Sequence, residues 1–211
     1  TVIRGAGPSG DSALRCAYVG TNALLSGFTL TNGATRGYGG DRVLEQMGGG
    51  AWLEASGILS NCVITGNAAN DGGGGVRGGT LYNCTIVSNS VGFGYCSGGG
   101  ALTSTLNNCT IIGNSAWGGG GAASSILNGC TISSNWVQHP LGPEGGDSHG
   151  GGVSDSIVSD CVLNGNRATG SGAGGGANGG ILSNCTIIGN SASFGGGVCD
   201  GTLYSCALLN N

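Results

Sequence analysis

The chain has 211 residues, 50 of them glycine and only 3 proline, with a net charge of −4 and no lysine. Collagen needs glycine at every third position with abundant proline, nucleic-acid binding needs a basic stripe, and a membrane-spanning helix needs about 18 consecutive apolar residues. The sequence has none of these: its arginines, Arg4, Arg15, Arg36, Arg42, Arg77 and Arg167, are scattered, and glycine and polar residues break every apolar run.

In chain order, Thr1-Val2-Ile3-Arg4-Gly5 reads as a strand with no start methionine or leader before it, so a processed product or a segment of a longer protein is expected, with residues 1–211 forming one domain. A degenerate repeat copy follows, Leu25-Ser-Gly-Phe28-Thr-Leu-Thr-Asn-Gly33, and then a loop over residues 33–47 carrying Arg36, Tyr38, Asp41, Arg42 and Glu45. Two copies come next, Leu59-Ser-Asn-Cys62-Val-Ile-Thr-Gly-Asn67 and Leu81-Tyr-Asn-Cys84-Thr-Ile-Val-Ser-Asn89, then a loop with Phe93 and Tyr95. Leu106-Asn-Asn-Cys109-Thr-Ile-Ile-Gly-Asn114 and Leu127-Asn-Gly-Cys130-Thr-Ile-Ser-Ser-Asn135 precede the longest loop, which holds Trp136, His139, Pro140, Pro143, Glu144, Asp147 and His149. Val158-Ser-Asp-Cys161-Val-Leu-Asn-Gly-Asn166, Leu182-Ser-Asn-Cys185-Thr-Ile-Ile-Gly-Asn190 and Leu203-Tyr-Ser-Cys206-Ala-Leu-Leu-Asn-Asn211 complete the set.

A glycine run ending in Ala or Val stands before each cysteine, as in Gly98–Gly100 with Ala101. The cysteines are spaced 22, 25, 21, 31, 24 and 21 residues apart, and the variation falls between the closing Asn and the next glycine run. A constant half joined to a variable half describes one coil of a solenoid, with stacked walls and a loop edge. The constant segments are too short for helical repeats and rich in Gly, Asn and β-branched residues. Cys62 and Ile64 alternate with Val63 and Thr65, the period of a strand. Leu59 and Cys62 break that alternation, so the chain must bend between them, and Asn61, Asn83, Asn108 and Asn184 sit where a left-handed backbone is needed. These asparagines are expected to bond coil to coil, and a second column, Asn67 to Asn211, marks the exit of the following strand. The expected fold is an all-β, right-handed parallel β-helix of about nine coils with three short strands each, handedness following from the preference of parallel crossovers.

The Gly-Gly-Gly-Ala/Val and Asn-Cys-Thr-Ile-x-x-Asn pattern resembles the pectate-lyase-like right-handed β-helix superfamily, and also the Gly-Gly-Ala-Ile and Phe-x-x-Asn repeats of polymorphic outer-membrane autotransporter proteins. The resemblance covers nearly the whole chain and implies an extracellular or cell-surface bacterial protein; it implies no particular activity, because this scaffold carries many.

Phe28, Cys62, Cys84, Cys109, Cys130, Cys161, Cys185 and Cys206 share one station, which reads as a core ladder of free thiols rather than a disulfide framework. Cys16, Cys96 and Cys199 lie outside it, and Cys96 and Cys199 are candidates for exposure. Paired C-x-x-C spacing is absent, so no metal site is expected, and no cofactor is implied. The outward column Thr85, Thr110, Thr131 and Thr186 is interrupted by Val63, Val162 and Ala207, which disfavours a flat ice-binding array.

Function on a solenoid gathers where loops gather. Trp136, His139, Glu144, Asp147 and His149 are the candidate ligand-binding residues of the longest loop, with Tyr38 and Tyr95 on neighbouring loops and Trp52 and Trp117 close in sequence. No two of Asp71, Asp155, Asp160 and Asp200 lie close in register at a strand, so no catalytic set can be assembled. The leading expectation is a non-catalytic structural or adhesive module with glycans or other cell-surface molecules as partners. Carbohydrate binding or cleavage is the first alternative, and end-to-end assembly into a filament through uncapped strand edges is the second.

Overall fold

The computed structural model describes residues 1–37, 39–92, 96–137 and 149–211. Left-handed residues fix where each coil turns, and they fall in four columns. Asn61, Asn83, Asn108 and Asn184 have φ of 51°, 53°, 52° and 54°, and Gly129 and Asp160 take the same station. A second column runs through Gly66, Ser88, Gly113 and Ser134, a third through Thr103, Ser124 and Asp155, and a fourth through the glycine three residues before the Ala or Val that closes each run, such as Gly98 at 71°. Four bends give a coil with four walls, and about eight such turns stack in parallel register.

The first wall has eight strands, from Ala17–Val19 through Ala51–Leu53, Val76–Arg77 and Ala101–Leu102 to Val198–Cys199. The second, also eight-stranded, runs from Leu24–Ser26 to Thr202–Tyr204; the third has nine strands, from Val2–Arg4 to Ala207–Leu209. The fourth wall has five two-residue strands, from Ala68–Ala69 to Arg167–Ala168. Each residue lies over its counterpart: Leu59, Leu81, Leu106 and Leu127 pair in turn, as do Ile64, Ile86, Ile111 and Ile132.

The main apolar core lies inside the first three walls, where Ala101, Leu106, Cys109 and Ile111 and their copies are almost wholly buried. A coil of three strands therefore describes this core, but the fourth wall is an addition. Its inward Ala69, Ala116, Val137 and Ala168 are buried yet stand apart from the main core.

The Asn column explains the separation. From Asn67 to Asn190 each amide is buried and saturated: Asn114 Nδ2 donates to Asn135 Oδ1 at 2.9 Å and to Ile86 O at 2.9 Å, and Asn114 Oδ1 accepts from Asn89 N at 2.9 Å and Asn89 Nδ2 at 3.0 Å. The same pattern continues to Asn211. The continuous coil-to-coil amide ladder thus belongs to this column. At the exposed bend, Asn184 does bond its counterpart one coil away, Asp160 Oδ1 at 3.3 Å, but Asn61 turns to Ser60 Oγ of its own strand, so no unbroken ladder forms there.

The glycine run is dictated by the same partition. A Cβ on Gly100 would meet Gly121 O at 2.5 Å and the Asn114 amide carbon at 3.1 Å, and a Cβ on Gly99 would meet Ser115 O of the fourth wall at 2.4 Å. Only glycine lets the run pass between the asparagine ladder and the fourth wall.

The cysteine ladder has a polar reason as well as an apolar one. Every column thiol from Cys62 to Cys206 points to the carbonyl two residues earlier, as Cys109 Sγ to Asn107 O at 3.3 Å, across the left-handed bend. Cys62, Cys84, Cys109, Cys130, Cys161 and Cys185 are at most 2 % exposed, while Phe28 and Cys206 are half-buried in outer coils. All ten cysteines are free thiols.

Candidate functional site

Strand alternation turns one residue of each first-wall strand outward. In register these are Tyr18, Trp52, Arg77, Leu102, Ala123, Ser154, Asn178 and Cys199, a single column along the rod. The variable loops enter this wall along one edge, where Met47, Gly72, Ser97, Gly118, His149, Ala173 and Phe194 bridge one another coil by coil. Loops therefore rim one side of the face, and the exposed second-wall corner bounds the other.

Two clefts lie along the face. The first, of 450 Å³, is lined by Trp52, Glu54, Arg77, Thr80, Thr103 and Thr105 among others. Tyr18 and Trp52 stack there with ring centroids 5.2 Å apart and planes 3° from parallel, and the Arg77 guanidinium carbon lies 5.0 Å from the Trp52 ring centroid. The Tyr18 hydroxyl donates to Glu54 Oε1, and this bond raises the phenol's pKa. The Trp52 indole N–H donates to Val43 O at 3.0 Å, which tucks the ring beneath the one-turn helix Arg42–Glu45.

The second cleft, of 400 Å³, is lined by Ser97, Trp117, Gly118, His149, Ser154, Asp155 and Asn178. His149 Nδ1 is buried with no hydrogen-bond partner. Aromatic, imidazole, carboxylate, amide and hydroxyl groups meet here from four successive coils.

The loop of residues 33–47 is fastened by a separate cluster. Asp71, 6 % exposed, accepts from Arg42 Nε at 2.5 Å and Nη2 at 2.6 Å, and Cys96 Sγ approaches its Oδ1 at 3.5 Å. Thr35 Oγ1 donates to Gln46 O at 3.1 Å, and Asn70 Nδ2 donates to Gln46 Oε1 at 2.9 Å. Burial first, and the Asp71 charge second, push the Cys96 thiol up to about 11.

Several sequence expectations are revised by this geometry. Cys96, a candidate for exposure, is buried against Asp71, while Cys199 is half-buried. Trp52 is largely buried and lines the first cleft, while Trp117 lines the second, so the two do not share one groove. Trp136 sits on the fourth wall between Ser115 and Arg167, whereas His149 lines the cleft beside Trp117, so the two ends of the longest loop serve different faces. Tyr38, Tyr95, His139, Glu144 and Asp147 lie outside the described residues. Arg77, Thr80, Thr105, Ser154 and Asn178 were missed as site residues. The only sequence signal for the outward set was its place one residue after the Ala or Val that closes each glycine run.

Among the described residues no three His, Cys, Asp or Glu side chains cluster as metal ligands, and no helix is long and apolar enough to cross a membrane. The chain matches no family model, no curated protein and no solved structure.

Proposed function

We propose that the chain is a structural and adhesive module of a secreted or cell-surface bacterial protein, a rod that presents its first-wall face to a saccharide chain. The observation that carries this reading is the register column on that face. It carries an aromatic stack, a guanidinium and, beyond Leu102 and Ala123, a serine hydroxyl and an asparagine amide, with clefts of 450 and 400 Å³ beside them. Sugars are held by aromatic faces and by hydrogen bonds to their hydroxyls, and a repeat of one strand spacing, about 4.8 Å, offers contacts along an extended polymer. The resemblance of the repeats to pectate-lyase-like and autotransporter β-helices agrees with an extracellular setting.

The test is a glycan array combined with a reducing-end assay on the purified chain. Binding without release of reducing ends is expected. Tyr18→Ala, which removes an exposed ring of the stack, should weaken binding at least fivefold. Failure to bind any glycan would overturn the adhesive reading, and release of reducing ends would replace it with an enzymatic one.

A further inference from the structure

The Trp52 cleft contains a cation to which no carboxylate of the described residues is paired. Arg77 lines the cleft and lies over the Trp52 ring, yet among the described residues none accepts a hydrogen bond from it or forms an ion pair with it. Its Nε is buried and unpartnered. A buried N–H without an acceptor costs on the order of 1–3 kcal/mol, and more in a charged group. The other arginine-carboxylate contacts of the described residues, at Arg36 and Arg42, show that this chain pairs arginines where loops allow it.

Two further features point into the same place. Thr80 and Thr105 are register partners on the second wall, both line the cleft, and among the described residues neither hydroxyl has a protein partner. Thr103, by contrast, gives its hydroxyl to Leu102 O at 2.8 Å. The cleft's own carboxylate, Glu54, accepts from the Tyr18 hydroxyl and does not pair with Arg77. A guanidinium supplies paired donors that fit a carboxylate or sulfate, and a flanking aromatic stack fits a sugar ring.

We infer that this cleft is a subsite for an oxyanion carried on a saccharide, with Arg77 taking the oxyanion and Thr80 and Thr105 hydrogen-bonding it or the adjoining ring hydroxyls. The inference rests on the saccharide-binding reading above and narrows it to acidic sugars. The oxyanion is a carboxylate in a uronate and a sulfate ester in a sulfated sugar; the same donors serve both.

The experiment titrates the purified chain with glucuronate, glucose 6-sulfate, glucose and inorganic sulfate, read by calorimetry at two salt concentrations. At least one acidic sugar should bind ten times more tightly than glucose, with affinity falling as salt rises. Arg77→Gln should abolish the preference and its salt dependence. Arg77→Lys, which keeps the charge but loses the paired donors, should retain part of it. Glu54→Gln should strengthen acidic-sugar binding a few-fold by removing a like charge. Circular dichroism and melting curves confirm that each variant is folded. Glucose binding as well as the acidic sugars would overturn the oxyanion subsite while leaving saccharide binding intact. Inorganic sulfate binding as tightly as glucose 6-sulfate would overturn the saccharide part. An acidic-sugar preference that survives Arg77→Gln would overturn the assignment to Arg77. Binding of none of the four probes would overturn the subsite, and the glycan array separately decides the broader reading.

Discussion

From Leu59 to Asn211 each coil repeats the same inward stations, whereas the coil from Ala17 to Gly33 departs from that rule, and contacts made only once extend from it to Asp71. The later coils carry Asn on the ladder and Cys at the bend; the first full coil has Gly33 and Phe28 in those places. The first-wall strands Ala17–Val19 and Ala51–Leu53 have three residues where later ones have two, and an added turn, closed by Gly57 N to Glu54 O at 2.9 Å, follows Leu53. All ion pairs of the described residues lie among residues 11–71, as does the aromatic stack. The regular coils are held by identical neighbours that need no charge; the irregular ones are held by contacts made once. The Trp52 cleft lies where the two regions meet: Trp52 and Glu54 come from the irregular coils, and Arg77, Thr80 and Thr105 from the regular ones that follow.

The sharpest test of this contrast is Asn135→Ala. Asn135 is wholly buried, accepts from Asn114 N and Nδ2 at 2.9 Å each, and donates to Ile111 O at 2.9 Å and Asn166 Oδ1 at 3.0 Å. Removing it strands several buried polar groups, and a loss of about 3–5 kcal/mol is expected from urea unfolding. Asn128, half-exposed on the second wall, donates only to Asn107 Oδ1 at 3.1 Å, so Asn128→Ala should cost less than about 1 kcal/mol. Equal losses would break the claim that the buried ladder, and not asparagine content, holds the regular coils.

The Arg42–Asp71 pair tests the irregular coils and has a built-in asymmetry. Arg42→Ala leaves a carboxylate that is 6 % exposed without its two charge-assisted bonds, and about 2–3 kcal/mol should be lost. Asp71→Asn leaves a guanidinium whose side chain is 70 % exposed, which water can resolvate, so about 1 kcal/mol or less is expected. Hydrogen exchange should rise in residues 33–47 for both variants and remain unchanged around Asn135. Exchange spreading through the later coils would show that the two regions are one cooperative unit.

The sequence made the repeating part readable because a stacked core writes its requirements into every copy. Leu59, Cys62 and Ile64 mark inward positions, and Asn61 and its copies mark the left-handed bend by the shortage of residues that tolerate it. Pairs such as Ser115–Ala116 were hidden in the variable half, since two residues are too few to show a strand period. The buried ladder Ser104, Ser125 and Ser156, in which each backbone N–H reaches the next hydroxyl, was equally hidden, because serine is usual in loops. The burial of Trp52 and the isolation of Arg77 depend on where residues 33–47 fold back, and no local pattern encodes that. Site residues were thus least legible where contacts occur once.

The smallest expected effect concerns Cys96, at the seam between the two regions. Burial and the Asp71 carboxylate favour its neutral thiol, raising the pKa from 9.0 to about 11. Because the folded value lies above the unfolded one, this contribution is fully present below about pH 9 and is lost as pH rises through about 11. Burial also raises Cys62 and Cys185, so the wild-type chain should lose stability in the same direction from several sites. Comparing it with Cys96→Ala isolates the one thiol. Between pH 8 and pH 10.5 the variant should lose about 1 kcal/mol less than the wild type in urea unfolding, whatever its stability at pH 8. Parallel curves would mean that neither burial nor the Asp71 carboxylate holds this thiol neutral in the folded chain.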